Sequence, residues 1–212
     1  WGLYNSLAQT AIKVMAPGVP DFYQGTEVWD FSLVDPDNRR PVDYERLTAM
    51  LSDLDTRRGS DPLPLVNDLM AAPADPRLKL FTTATLLRAR RDRRELFDNG
   101  NYVPIAAEGP RSAHLFAFAR QLAGSQVIVA VPRMVAALTG DPDTAPTGER
   151  VWSDTRLLLP PDTRGGHLRN VVTGRCVGIA RDGATASIRA ADAFQDFPVA
   201  VLEDPAAGGG AS

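Results

Sequence analysis

Apolar side chains recur at helical spacing from the first residues of the chain onwards. They are Leu3, Leu7, Ala11, Val14 and Met15, with Ala8 and Ile12 in the neighbouring stripe. A helix that is apolar over so much of its circumference packs on more than one side. Pro17 and Gly18 then end it, because proline lacks the N–H that continues the ladder and glycine favours the backbone of helix ends.

The pattern changes from Val19 to Tyr23, where a short apolar run predicts a buried strand. Pro20 restricts that strand to an irregular course or to a start at the proline itself. A long loop of acidic, aromatic and arginine residues follows, from Gln24 to Val42. A buried strand followed by a polar loop is how a β/α barrel presents a site at the carboxyl ends of its strands. The first part of the chain is therefore predicted to be α/β.

Three further helices are indicated before residue 96. Asp43 can cap the first of them through its side chain. The apolar face of that helix is made of Leu47, Met50, Leu51 and Leu54. A short helix is predicted from Leu65 to Ala72. Asp75-Pro76 predicts the start of the third, which runs to about Arg93, because an acidic cap followed by proline at the first helical position is a favoured beginning.

After Phe97 short apolar runs alternate with Gly, Pro and Asp. The runs are Tyr102–Ala106, His114–Ala119, Gln126–Val131, Val151–Leu159, Leu168–Val172, Ala186–Ala190 and Pro198–Leu202. Many strands at this spacing predict an antiparallel sandwich or barrel, with a boundary near residue 96. Trp152 is expected to pack inside this β part, and Cys176 to be a small buried residue. The small-residue tail, 206–212, is expected to be disordered.

Composition narrows the classes of function. The chain has 212 residues, 44% of them hydrophobic, and a net charge of −3, so it has no broad attraction for nucleic acid or an anionic membrane. One cysteine excludes an internal disulfide framework and suits the cytoplasm. No apolar run spans a bilayer and no secretory signal is visible. Because the first residue is Trp1 and the helical pattern follows it at once, we expect the chain to begin inside a larger protein.

The loop carries the candidate chemistry. Carboxylates at Glu27, Asp30, Asp35 and Asp37 lie near Arg39 and Arg40, and aromatic rings at Tyr23, Trp29 and Phe31 accompany them. Sugar-binding sites use carboxylate and guanidinium groups for hydroxyls and aromatic faces for the ring. The alternative is that the arginines pair with the acids and hold a long loop in shape. The oxygens could also bind calcium, although their spacing is not that of an EF-hand.

Two other sets of residues are less informative. Arg88, Arg90, Arg91, Arg93 and Arg94 form a basic run. It is either a phosphate or nucleic-acid contact or, as we favour, a solvated helix end whose cations suit the dipole. The only histidines, His114 and His167, make no catalytic triad and, with one cysteine, a poor metal set. No metal and no cofactor is therefore expected.

Several motifs nevertheless resemble a known family. Gly18-x-Pro20-x-x-Tyr23-x-Gly25-x-Glu27 resembles the eighth-strand motif of the α-amylase superfamily of glycoside hydrolases. More narrowly, the segments 5–10, 17–21, 23–27 and, most specifically, Leu33–Asp43 (LVDPDNRRPVD) resemble the maltooligosyltrehalose synthase family. The close match covers residues 1 to about 55. The remainder resembles the family mainly in the order of its parts, a helical stretch followed by an all-β C-terminal part.

This resemblance implies a fold, α/β plus all-β. Residues 1–55 would be the last β/α part of a TIM barrel, 56–96 a helical connection, and 97–205 an antiparallel C-terminal β-sandwich domain. It also implies an intramolecular glucosylmutase of trehalose biosynthesis, an isomerase that converts the reducing-end α-1,4 link of a maltooligosaccharide into an α,α-1,1 link. Retention through a glycosyl-enzyme, with water kept out, is the implied mechanism.

The implied nucleophile, acid/base and third carboxylate follow earlier barrel strands, so no acid of this chain is assigned to catalysis. The chain alone is expected to be inactive, and its partners are the maltooligosaccharide and the N-terminal part of the same protein. The implied substrate-binding residues are Tyr23, Glu27, Asp35, Asn38, Arg39 and Arg40. Two alternatives stay open: another α-glucan hydrolase or glucosyltransferase, and a non-catalytic β-sandwich module that binds glucan or supports the barrel.

Overall fold

A computed structural model of the chain describes residues 1–33 and 35–204. Val34 and residues 205–212, which include the predicted disordered tail, lie outside the described residues. The helices are α1 (Gly2–Met15), α2 (Tyr44–Arg58), α3 (Leu63–Ala71), α4 (Pro76–Asp92), α5 (Arg94–Asn99), α6 (Val135–Thr139), α7 (Gly148–Trp152) and α8 (Ala190–Ala193). Short 3-10 turns occupy Asp37–Arg39 and Ser112–His114.

The helices of the first half begin where their capping residues predicted. The Asp43 carboxylate accepts the Arg46 N–H at 2.9 Å and caps α2. The Asp75 carboxylate accepts the Arg77 N–H at 2.8 Å and caps α4, with Pro76 in the first turn. Side-chain acceptors at these positions satisfy N–H groups that have no partner within the helix. The predicted starts of both helices are therefore confirmed.

The strands form two antiparallel sheets. They are β1 (Asn101–Pro104), β2 (Ala107–Glu108), β3 (Leu115–Leu122), β4 (Ser125–Pro132), β5 (Arg156–Leu158), β6 (His167–Asn170), β7 (Cys176–Gly178), β8 (Ala180–Asp182), β9 (Thr185–Arg189) and β10 (Ala200–Glu203). The six-stranded sheet has the order β1-β3-β4-β10-β6-β7, and the four-stranded sheet has the order β2-β5-β9-β8. The chain is thus a mixed structure of helices and antiparallel sheet.

Strand β4 shows how the six-stranded sheet is buried on both faces. Val127, Val129 and Val131 belong to a core shared with the helices α1 to α5. Ile128 and Ala130 point the other way, into a second core shared with the four-stranded sheet. Alternate residues of a strand face opposite sides, so one strand contributes to two cores. This sheet therefore lies between a helical layer and the smaller sheet.

The predicted strand Val19–Tyr23 is wrong. The segment has no regular secondary structure and pairs with no strand in the described part of the chain, and Val19 is 94% exposed. Pro20 has no N–H to donate, and an isolated strand has no neighbour to satisfy its backbone groups. The chain leaves α1 through Gly18, whose φ of +116° suits glycine.

Two predictions in the β part are also wrong. Residues 151 and 152 end the short helix α7, so only Arg156–Leu158 of the predicted run Val151–Leu159 is a strand. Cys176 is exposed instead of buried. In β7 the pairing with β6 turns Val177 inward, which leaves both neighbours on the solvent face. Trp152 is fully buried, as predicted.

The predicted boundary at residue 96 lies inside α5, and the helical core contains residues from both sides of it. Phe81 of α4 and Phe118 of β3, for example, belong to that single core. Whether the two parts are separate domains stays a prediction. For the site, the consequence is that α2 and α4, the helices under the loop, share one core with the six-stranded sheet.

Candidate functional site

The loop between α1 and α2 closes over a cleft of about 490 Å³. The floor is made by the first turns of α2 and α4, and the walls by the loop itself. The lining residues that carry polar or aromatic groups are Gln24, Trp29, Asp30, Phe31, Ser32, Asp37, Asn38, Arg40, Asp43 and Arg46. Aromatic rings beside amide, guanidinium and carboxylate groups suit a ligand with apolar faces and many hydroxyls.

Trp29 fixes the middle of the loop to the start of α4. Its indole Nε1–H donates to the main-chain carbonyl of Asp75 at 3.0 Å, and its ring is partly buried against the helical core. The Lys79 ammonium lies 5.8 Å from the ring centre. Burial lowers the pKa of Lys79, as does the charge of Lys13, whereas Asp30 and Glu27 oppose that shift. This part of the loop is therefore fixed and carries a mixture of charges.

The acids and arginines of the loop pair with each other. Arg39 bonds the Asp35 carboxylate at 2.5 to 2.7 Å, and Arg40 bonds Asp37. The Asp30 carboxylate accepts the hydroxyl and the N–H of Ser32 at 2.6 and 2.9 Å, which lowers its pKa. Exposed ion pairs contribute little stability each, but they restrict the turn in which they lie. This agrees with the alternative in which the arginines hold the loop in shape.

The structure brings only part of the predicted binding set to the cleft. Asn38 and Arg40 line it, whereas Tyr23, Glu27, Asp35 and Arg39 do not. Tyr23 is 49% exposed on the approach to the loop. Glu27 has one buried carboxylate oxygen, Oε2, with no hydrogen-bond partner among the described residues.

Sequence reasoning did not assign Arg46 or Met50 to the site, although both line the cleft from α2. The signal for Arg46 was available, because it stands three residues after the capping Asp43 and so lies in the first turn of the helix that follows the loop. Met50 lies one helical turn further on and provides apolar floor. Phe31 was noted as an aromatic of the loop, and its ring is 78% exposed.

The basic run of α4 and α5 makes specific contacts within the chain. Arg88 pairs with Asp55, Arg93 pairs with Glu203 at 2.9 Å, and Arg90 donates to main-chain carbonyls at the end of α1. Arg91 and Arg94 pair only with near neighbours in sequence. The interpretation as a simply solvated helix end is therefore wrong for Arg88, Arg90 and Arg93, whose acceptors lie far away in sequence.

Residues 1–33 and 35–204 contain no group of three or more His, Cys, Asp or Glu side chains placed to hold a metal ion. Within the same ranges no helix combines the length and the apolar character that crossing a bilayer requires.

Similar proteins give this geometry a context. No protein-family model matches the chain. Proteins of Mycobacterium tuberculosis strains CDC 1551 / Oshkosh and H37Rv, each assigned as a maltooligosyl trehalose synthase, are 35% identical to it over 198 residues. That match covers 93% of this chain but 20% of each relative. The chain therefore spans about a fifth of the length of the curated relatives it matches, in their C-terminal part.

Solved structures agree. The maltooligosyltrehalose synthase from Arthrobacter ramosus superposes with a TM-score of 0.70 at 36% identity, over 96% of this chain and 22% of that one. A maltogenic α-amylase from Thermotoga neapolitana shares the fold at a TM-score of 0.54 and 12% identity, over 93% of this chain and 36% of that one. The second likeness is one of fold alone.

Proposed function

Because the chain is homologous to the C-terminal part of maltooligosyltrehalose synthases, we propose that it forms that part of an intramolecular glucosylmutase. The enzyme would convert the reducing-end α-1,4 link of a maltooligosaccharide into an α,α-1,1 link, in the cytoplasm. The observation that carries the proposal is similarity along nearly the whole chain, at 36% identity and a TM-score of 0.70 to the Arthrobacter ramosus enzyme.

In this proposal residues 1–55 complete a (β/α)8 barrel, 56–96 connect, and 97–205 are a C-terminal β-sandwich domain. The N-terminal part of the protein supplies the nucleophile, the acid/base and the third carboxylate. Exposed apolar side chains on the loop support such a contact, since Val19, Phe31, Leu33 and Tyr44 all face outward in this structure. Several exposed large apolar side chains are typical of an interface.

The loop would form a wall of the sugar site. In this proposal Asn38 and Arg40 bond sugar hydroxyls and the Phe31 ring covers an apolar sugar face, since all three line the cleft. Asp35 and Arg39 hold the turn, since they pair with each other outside the cleft. A fixed wall matters for a mutase, because the released glucose must turn in place while water is excluded.

Tyr23 and Glu27 are proposed to contribute from the other side of the loop, with Glu27 shaping the floor of the site. Glu27 is the better supported of the two. Its buried Oε2 has no partner in the described part of the chain, so a donor from the N-terminal part of the protein or from a sugar would complete it. No cofactor and no metal enters this reaction.

The test replaces the matched C-terminal part of the Arthrobacter ramosus enzyme with this chain and supplies maltopentaose. We expect reducing ends to disappear with little glucose released, which is the signature of transfer within one molecule. The host enzyme without its C-terminal part, and this chain alone, are the controls and should do neither. A chimera that folds like the parent by circular dichroism but generates new reducing ends is a hydrolase, and the mutase proposal would then be wrong.

The wall is tested in the same chimera with two neighbouring arginines. Arg40→Ala removes a cleft residue, whereas Arg39→Ala removes only the ion pair with Asp35 outside the cleft, so the difference between the two variants isolates the cleft contact. A lost hydrogen bond from a charged group costs about 1.5–3 kcal/mol, so we expect the rate to fall roughly 10- to 100-fold for Arg40→Ala. Equal rates and equal product ratios in the two variants would remove Arg40 from the site.

The non-catalytic alternative lacks support from the β part. A glucan-binding module presents exposed, coplanar aromatic rings. Among the described aromatic residues after Phe97, only Tyr102 is strongly exposed, and its ring stacks on Phe118 at 4.9 Å. A single ring engaged in this way does not make a sugar-binding platform.

A further inference from the structure

Arg90, in the last turn of α4, reaches the point where the chain leaves α1. Its guanidinium donates through Nη1 to the carbonyls of Val14 at 2.6 Å and Ala16 at 3.2 Å. Through Nη2 it donates to the carbonyl of Gly18 at 2.5 Å. The last carbonyls of a helix have no partner within it and carry the negative end of its dipole, so a cation there is favourable. We call this set of contacts the Arg90 clamp.

The clamp acts on a segment with few bonds of its own. Among the described residues 17–42, two main-chain hydrogen bonds outside regular elements join residues of this segment: the Thr26 N–H donates to the Tyr23 carbonyl, and the Arg39 N–H donates to the Pro36 carbonyl. A third bond runs from the Tyr44 N–H to the Val42 carbonyl at the end of the segment. The path of the loop must therefore be fixed by side chains. Gly18 is the turning point, because its φ of +116° redirects the chain out of α1. A bond to the Gly18 carbonyl fixes that direction.

Helix α4 holds the loop at two places. The Asp75 carbonyl, at its start, accepts the Trp29 indole, and Arg90, at its end, holds Gly18. These points are about four turns apart, roughly 22 Å along a helix that rises 1.5 Å per residue. One rigid helix thus fixes both the entry of the loop and its middle, and through them the wall of the cleft.

The guanidinium is itself held from behind. Its central carbon lies 5.3 Å from the ring centre of Phe97, and the guanidinium of Arg120 lies 5.6 Å from the same ring. The buried Arg120 side chain donates to the carbonyls of Phe97 at 2.9 Å and Gly100 at 2.7 Å. Arg120 belongs to β3, so the clamp links the loop entry to the six-stranded sheet.

We propose that Arg90 is a positioning residue for the candidate site. This inference rests on the proposed function. In it Arg90 contacts no sugar and acts by fixing the entry of the loop that presents Asn38 and Arg40. The planar fork is required, because one guanidinium must satisfy three carbonyls in different directions. An ammonium group has donors but lacks the two separated nitrogens, so Arg90→Lys should restore the clamp only in part.

The first experiment uses this chain and brief digestion with chymotrypsin, which cleaves after aromatic residues. Arg90→Gln is expected to raise the cleavage rate at Phe22, Trp29 and Phe31 on the order of tenfold, since a tenfold rise in the open population corresponds to about 1.4 kcal/mol. Arg91→Gln is the matched control, because Arg91 is exposed and pairs only with Asp92. Arg90→Lys should fall between the two.

Two results of the digestion would overturn the clamp. Unchanged cleavage in Arg90→Gln would mean that the loop entry is fixed without it. An equal rise at Tyr102 and Phe116, in the six-stranded sheet, would mean that the change loosens the whole fold and does not position the loop. Cleavage that rises only within the loop supports the proposal.

The second experiment links the clamp to chemistry in the Arthrobacter ramosus chimera. Arg90→Gln should lower the ratio of transferred product to free glucose on the order of tenfold, because displacing a positioning group by about 1 Å costs up to 10²-fold. The ratio should recover partly in Arg90→Lys and not change in Arg91→Gln. An unchanged ratio with a loosened loop would refute the positioning role. A wild-type chimera without mutase activity would refute the proposed function, and the digestion would still decide the clamp.

Discussion

Replacing Trp29 by Phe isolates the bond that fixes the middle of the loop to α4. Phenylalanine keeps most of the ring that packs against the helical core but loses the N–H that reaches the Asp75 carbonyl at 3.0 Å. A typical hydrogen bond contributes about 0.5–1.5 kcal/mol to stability. Because the substitution leaves the Asp75 carbonyl without this donor, we expect a cost in the upper half of that range. We therefore expect Trp29→Phe to lower the free energy of unfolding by about 1–1.5 kcal/mol.

Thermal denaturation followed by circular dichroism measures this loss. In a chain of this size about 1 kcal/mol corresponds to roughly 2–4 °C in Tm, so the expected fall is about 2–6 °C. Trp29→Ala should cost about 2–3 kcal/mol, because the half-buried ring is also lost. The difference between the two variants separates packing from hydrogen bonding.

Trp1→Phe provides the matched control. The Trp1 indole also donates at 3.0 Å, but to the Thr139 hydroxyl at an exposed position where water replaces it. Its removal is expected to cost less than about 0.5 kcal/mol. If Trp29→Phe and Trp1→Phe shift the Tm equally, the bond to Asp75 does not hold the middle of the loop, and α4 would hold the loop through Arg90 alone.

Three further predictions concern the rest of the chain. Trp152 is fully buried and stacks on Phe194 at 4.9 Å. Trp152→Ala should therefore lower the free energy of unfolding, measured in urea, by about 3–5 kcal/mol. The hydrogen bonds from Arg77 hold the pKa of Asp75 below its ordinary value of 3.8. The stability that this pair adds is therefore present above pH 3.8 and is lost as the pH falls through the lower pKa of the folded state. Asp75→Asn should thus be less stable at neutral pH but lose less stability between about pH 5 and pH 2, and parallel acid-unfolding curves would contradict this. Cys176 should react with a thiol reagent in the native state nearly as fast as in urea, and a protected thiol would contradict its exposure.

Helix starts could be predicted because their cause is local. At Asp43 and Asp75 a side chain satisfies N–H groups two or three residues away, so the signal lies within one turn of sequence. The strand β4 was equally clear, since its residues face two apolar environments and nearly the whole run is hydrophobic. Such features need no knowledge of the remaining chain.

Strand pairing could not be predicted in the same way. Val19–Tyr23 has the composition of a strand, but a strand exists only where a neighbour accepts its hydrogen bonds, and the described chain offers none. Cys176 was misplaced for a related reason. Its face is decided by the pairing of β7 with β6, and a shift of one residue would exchange inside and outside.

The candidate site lies between these two cases. The residues of the loop, including Asn38 and Arg40, were recognisable from sequence, and the alternative that the arginines pair with nearby acids was open from the start. What holds the loop was not recognisable, because Arg90 is more than 70 residues from the carbonyls it bonds. A basic run gives no indication of which member turns inward, since that depends on packing between helices.

A loop of this length with few main-chain bonds must be ordered by something outside it, because fixing each residue costs about 1–2 kcal/mol of backbone entropy. Here the entropy cost is offset at three points. The Gly18 carbonyl accepts from Arg90, the Trp29 indole donates to the start of α4, and Asp43 caps α2. The helices at these points, α2 and α4, belong to the core that the helical layer shares with the six-stranded sheet. The β part therefore contributes to the site without touching it. Changes in the sheet that shift α4, such as substitution of the buried Arg120, should alter the cleft before they unfold the chain.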